Sequence, residues 1–90
     1  MPKYLIEREI PGVGSVTREQ MREDARRSIE IAAAMGPEIH WLHSYVSGDK
    51  VYCVYYAANE ELIREHSRRA GAPITAISEI SSIVDASYID

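Results

Sequence analysis

The feature that most constrains the fold is a β-hairpin pattern in the middle of the chain. Residues 38–46 and 51–57 are rich in aromatic and β-branched side chains, which favour strands. The four residues from Ser47 to Lys50 between them are typical of a tight turn. Two strands joined so closely are antiparallel neighbours in one sheet. The remaining elements must therefore pack around this hairpin.

A strand and a helix are predicted before the hairpin. Residues 3–10 favour a strand, and the Pro-Gly-Val-Gly run that follows ends it. Residues 17–20 have the form of a capping box. In this motif the Thr17 hydroxyl accepts a hydrogen bond from the backbone amide of Gln20, and the Gln20 side chain bonds the backbone amide of Thr17 in return. Apolar residues then recur at helical spacing as far as Met35, where a Gly-Pro pair ends the helix.

A second helix and a final strand are predicted after the hairpin. Asn59 is a typical N-cap, and two glutamates follow it in the first turn, where they suit the helix dipole. Gly71 ends this helix, and residues 74–84, rich in isoleucine, favour a strand. The order is βαββαβ, which predicts an α+β, ferredoxin-like fold with two helices on one face of a four-stranded antiparallel sheet.

Size and composition narrow the functional classes. Ninety residues predict one domain, residues 1–90, and the single cysteine, Cys53, excludes an intrachain disulfide. No apolar run reaches the length of a membrane span, and the first residues lack a signal-peptide pattern. The net charge of −4 argues against nucleic-acid binding. We therefore predict a cytoplasmic protein that binds neither nucleic acid nor a membrane.

The sheet face that the helices leave uncovered gives the main evidence for a partner. If Gly48 and Asp49 are centred in the turn, alternate residue pairs of the hairpin point to opposite faces. The pairs expected under the helices are compact: Val46/Val51, Ser44/Cys53 and Leu42/Tyr55. The pairs expected on the uncovered face are bulky: Tyr45/Tyr52, His43/Val54 and Trp41/Tyr56. A monomer rarely exposes so large an aromatic patch, so we predict a homodimer with facing sheets. The alternatives are a monomer with an exposed patch and a dimer formed through another surface.

Among the ionisable residues, His43 is the leading candidate for chemistry. It lies among the aromatic residues, and Glu7 of the first strand can project onto the same face. An imidazole beside a carboxylate suits a divalent ion or a proton transfer. Alternatively, His43 only forms hydrogen bonds in a packed interface. His40 is three residues away on the same strand, so we expect it on the opposite face, where it cannot share an ion with His43.

The remaining candidates favour structural roles. His66 lies on the apolar stripe of the second helix, where a histidine is usually a hydrogen-bonded core residue; it and His40 stay secondary candidates for a metal ligand. Cys53 is expected to face the helices and to pack as a small hydrophobic residue. The chain contains no His-x-x-x-His, Cys-x-x-Cys, phosphate loop or nucleophile elbow, so no catalytic residue is predicted and an enzyme is not favoured.

Five segments together resemble a small bacterial family of ferredoxin-like domains that includes a nickel-binding homodimer. The segments are YLIEREIPG (4–12), IHWLHSYV (39–46), KVYCVY (50–55), NEE (59–61) and REHSRRAG (64–71). The resemblance implies the fold of a dimeric α/β barrel, a homodimer, and nickel as the cofactor near the subunit interface. The candidate ligands that it suggests are His43 and Glu7, followed by Tyr45, His40 and His66.

Three functions remain open at this point. The first is transition-metal binding, because imidazole and carboxylate ligands suit nickel, copper or zinc. The second is small-molecule binding, as in cofactor-free oxygenases of related dimeric α+β barrels, in an aromatic pocket around His43 formed by Trp41, Tyr45, Tyr52 and Tyr56. The third is a structural or regulatory subunit without a ligand.

Overall fold

The computed structural model describes residues 1–89, in which four strands and two α-helices follow the predicted order. The elements are β1 (Lys3–Glu9), α1 (Arg18–Met35), β2 (Ile39–Ser47), β3 (Lys50–Ala57), α2 (Glu60–Ala70) and β4 (Ala76–Ile80). Short 3-10 helices lie at Val13–Ser15 and Ala86–Ile89. Neither helix of the described chain is long and apolar enough to cross a membrane.

The strands form one sheet in the order β2-β3-β1-β4, with each neighbouring pair antiparallel. This order places the first and third strands side by side at the centre. The core lies between the helices and one face of this sheet. It includes Tyr4, Ile6 and Tyr55 from the strands and Ala32 and Ile63 from the helices. The predicted ferredoxin-like α+β fold is confirmed.

The two helices begin at the predicted N-cap residues, but the capping box of α1 forms only in part. The Thr17 hydroxyl accepts a hydrogen bond from the Gln20 amide at 3.1 Å, and Asn59 caps α2 in the same way through the Leu62 amide at 3.1 Å. The Gln20 side chain does not reach back as predicted. Instead it donates to Asp24 one turn later at 3.0 Å, so only half of the capping box forms.

The last strand is shorter than predicted. It ends at Ile80, which is paired with Lys3 at the beginning of β1. Beyond this pair β1 offers no further backbone partner, so residues 81–84 continue without strand pairing. Ile83 and Val84 are consequently 62% and 72% exposed, despite their strand-forming character.

A β-bulge in β2 changes the predicted faces of the hairpin. From the turn as far as His43, which is paired with Val54, the register is as predicted. The register then shifts between Trp41 and His43, and Leu42 is the extra residue. Trp41 is therefore opposite Tyr55 rather than Tyr56, and it lies on the helix side of the sheet. The prediction that Trp41 pairs with Tyr56 on the uncovered face is wrong.

Candidate functional site

The open face of the sheet, the one opposite α1 and α2, is less aromatic than predicted. Tyr45 is 60% exposed and Tyr56 is 36% exposed, while Tyr52 is half-buried. Charged side chains lie among these rings, and the Lys3 ammonium is 5.1 Å from the centre of the Tyr56 ring. Without Trp41, the face presents three tyrosines and a mixture of polar groups rather than one continuous aromatic pocket.

The bulge brings His40 and His43 onto the same face. His40 is opposite Tyr56 and His43 is opposite Val54, and these two residues of β3 point to the same side because they are two apart. Both histidines are exposed. The expectation that they face opposite sides was based on regular alternation, which the extra residue Leu42 interrupts. The structure thus presents two imidazoles on one open surface.

The surroundings of His43 orient its ring. The Tyr45 ring lies edge-on to it, with 5.1 Å between ring centroids and an interplanar angle of 77°. The two residues are separated by one position on β2, so their side chains project from the same face. This contact leaves the imidazole of His43 at the surface rather than within the core.

Glu7 lies on the open face but not beside His43. It is paired with Tyr52 on β3, and β3 separates it from β2, so two strand spacings of about 5 Å each intervene. Its carboxylate is 3.8 Å from the ammonium of Lys50. Within one chain, therefore, Glu7 and His43 are not brought together as a pair of ligands.

His66 lies apart from this face, in the core. It is 1% exposed, and its Nε2 is 3.0 Å from the Ser28 carbonyl oxygen. Because a carbonyl only accepts, Nε2 carries the proton, and Nδ1 can accept from the Tyr55 hydroxyl at 3.4 Å. Burial lowers the pKa of His66 and keeps the ring neutral. Both ring nitrogens are thus engaged in the protein interior.

The donors of one chain do not make up a complete metal site. Across residues 1–89, no group of three or more His, Cys, Asp or Glu side chains is placed to hold a metal ion. The open face offers the two imidazoles of His40 and His43, which are a partial set of ligands for a transition metal. Further ligands would have to come from water or from a second subunit.

On the other side of the sheet, a cavity of about 500 Å³ lies between the helices and the strands. Trp41 is at its wall, where its indole N–H donates to the Ser44 hydroxyl at 2.9 Å. That hydroxyl in turn donates to the Cys53 sulfur at 3.1 Å. Cys53 faces the helices and is buried, as expected.

Arg8, which was not among the predicted site residues, also lines this cavity. The residue is only 4% exposed, and its guanidinium donates to the Pro73 carbonyl at 2.9 Å. Alternation along β1 was the available signal, because Arg8 follows the buried Tyr4 and Ile6 at intervals of two residues. Arginine is rarely found at a buried position such as this one.

Comparison with known proteins agrees with this architecture. The family model described as "Nickel responsive protein SCO4226-like" matches residues 4–80. The crystal structure of SCO4226 from Streptomyces coelicolor A3(2) superposes with a TM-score of 0.76 at 14% identity, covering 91% of this chain and 99% of that one. No curated protein matches the sequence. Because the family match spans most of its length, the chain belongs to the SCO4226-like family of nickel-responsive proteins.

Proposed function

We propose that this protein binds nickel on the open face of its sheet, as a homodimer in which His40 and His43 of each copy supply the ligands. The observation that carries the proposal is the bulge at Leu42, which places both exposed imidazoles on one side. Neutral imidazole is a good ligand for nickel. The description of the family as nickel-responsive supports this choice of metal.

A second copy is proposed because one subunit offers too few donors. A two-fold axis through the open face would bring two pairs of imidazoles together and would cover the exposed ring of Tyr45. Glu7 would have to reach the metal from the partner copy, since two strand spacings separate it from His43 in its own chain. Dimer formation and metal binding are therefore expected to be coupled.

Calorimetry with untagged protein tests the ligands. Nickel affinity is expected to fall at least about tenfold in His40→Ala and in His43→Ala, because each change removes one imidazole. Glu30→Ala is the matched control, because it removes an exposed metal-capable side chain from α1 and leaves the open face unchanged. Unchanged affinity in the double variant His40→Ala, His43→Ala would exclude this face as the nickel site.

Native mass spectrometry tests the dimer and its metal content together. We expect a dimer with twice the 10.1 kDa mass of one chain, and we expect this mass to increase when nickel binds. Tyr45→Glu places a charge at the centre of the proposed interface and should shift the population to the monomer. A monomer that binds nickel with the same affinity as the wild type would contradict the shared site.

The alternative function, a ligand pocket around His43, is less favoured by the geometry. It required Trp41 to lie beside Tyr45, Tyr52 and Tyr56, whereas the sheet separates Trp41 from these three tyrosines. The open face itself is a surface rather than an enclosed pocket.

A further inference from the structure

We infer a second binding site, in the cavity between the helices and the sheet, for a small organic carboxylate with an apolar body. In this site the Arg8 guanidinium would hold the carboxylate. The site lies on the opposite side of the sheet from His40 and His43, so it does not depend on the proposed nickel function.

The first reason is the unbalanced charge of Arg8. A buried guanidinium is costly unless an anion pairs with it. Arg8 is 4% exposed, yet no carboxylate within residues 1–89 forms an ion pair with it. Its guanidinium donates to the Pro73 carbonyl and is hydrogen-bonded to the Tyr55 side chain, two neutral partners for a group with five N–H donors. The remaining donors are available to an anion in the cavity that Arg8 lines.

The neighbours of Arg8 do not supply the missing negative charge. Burial raises the pKa of Tyr55 to about 12, and the nearby Arg8 only partly opposes this rise, so the phenol stays protonated. His66, which is within hydrogen-bonding distance of Tyr55, is neutral because burial lowers its pKa. Two neutral groups and one cation thus form the polar end of the cavity.

The rest of the cavity selects an apolar body. Its wall is predominantly aliphatic and aromatic, and includes Val13, Val16, Met21, Trp41, Val46 and Val51. A volume of about 500 Å³ lies within the range of small-molecule sites. Asp24 and Arg27, both exposed, are the other charged lining residues, and their opposite signs offset each other. One buried cation in an apolar cavity matches a monoanion better than a multiply charged phosphate.

Trp41 provides a direct measurement, because it is the only tryptophan and it lines the cavity. Octanoate and 4-phenylbutyrate are titrated into the wild-type protein while tryptophan emission is recorded. Octanamide and 4-phenylbutyramide serve as neutral probes of the same shape. We expect saturable changes with the acids and at least about tenfold weaker binding of the amides, because only the acids pair with Arg8.

Variants of Arg8 test the assignment of the cation. Arg8→Met keeps the length of the side chain without its charge, and acid binding is expected to fall at least about tenfold. Arg22→Met is the matched control, because Arg22 is exposed on α1 and does not line the cavity. If Arg8→Met fails to fold, the comparison of acids with amides on the wild type still decides the question.

Three results would overturn the inference. They are equal binding of acids and amides, unchanged acid binding in a folded Arg8→Met variant, and the lack of a saturable signal with either acid up to about 10 mM. None of these results bears on nickel binding to His40 and His43. Loss of nickel binding in the histidine variants would likewise leave the acid titration unchanged.

Discussion

Replacing His66 by leucine should destabilise the fold in a pH-dependent way. The change removes an imidazole that is 1% exposed, and with it the hydrogen bonds to the Ser28 carbonyl and the Tyr55 hydroxyl. The Ser28 carbonyl keeps its helical hydrogen bond within α1, so the larger cost falls on Tyr55. A buried polar group that loses its hydrogen bond costs about 1–3 kcal/mol. The loss of these two hydrogen bonds, partly offset by the added apolar side chain, leads us to expect a loss of roughly 1–3 kcal/mol near pH 8.

The sign of the pH dependence follows from the lowered pKa of His66. In the unfolded chain the ring titrates near 6.5, while burial lowers this pKa in the folded protein. The unfolded state therefore binds a proton first as the pH falls, and the wild type loses the stability contributed by His66. From pH 6.5 to about pH 5 this loss amounts to at most about 2 kcal/mol. The leucine variant has no imidazole to bind this proton. The difference in unfolding free energy between the variant and the wild type should therefore shrink as the pH falls.

Urea denaturation followed by circular dichroism, at pH values from about 8 to about 5 and at one protein concentration, measures this difference. His40→Leu is the matched control, because that histidine is exposed and the same substitution should change stability by no more than about 0.5 kcal/mol. A deficit for His66→Leu that stays constant or widens as the pH falls would refute the proposed neutral, buried state of the ring.

Three other measurements test local features of the fold. Hydrogen bonds from Arg68 and Arg69 lower the pKa of Glu65 to about 2. An NMR titration of the Glu65 carboxylate should show a midpoint near that value, and a midpoint near 4.5 would contradict the pairing. Gly14→Ala would place a Cβ 2.7 Å from the Gly48 carbonyl oxygen and should cost about 1–3 kcal/mol in urea denaturation, whereas wild-type stability would show that the turn can shift. Deletion of Leu42 removes only the extra residue of the bulge, so the circular dichroism spectrum and the nickel affinity should be retained, and loss of either would contradict the register.

The open face shows where sequence reasoning about the site succeeded and where it failed. It correctly placed His43, Tyr45 and Glu7 on the uncovered side, because side chains alternate regularly near the turn. It misplaced Trp41 and His40, because a bulge reverses the alternation beyond the extra residue. In the sequence His-Trp-Leu-His, either Trp41 or Leu42 can supply the apolar side chain that faces the core. The local sequence pattern therefore does not predict which of the two is buried.

The sequence by itself determined the order of elements, the helix caps and the hairpin turn. These features depend on neighbours within a few residues, such as the hydroxyl of Thr17 and the amide of Gln20. Only the tertiary structure decided that Trp41 is directed inward to Ser44, that Arg8 is buried beside a cavity and that β4 ends opposite Lys3. Each of these depends on contacts between distant strands and helices, which short-range sequence preferences do not specify.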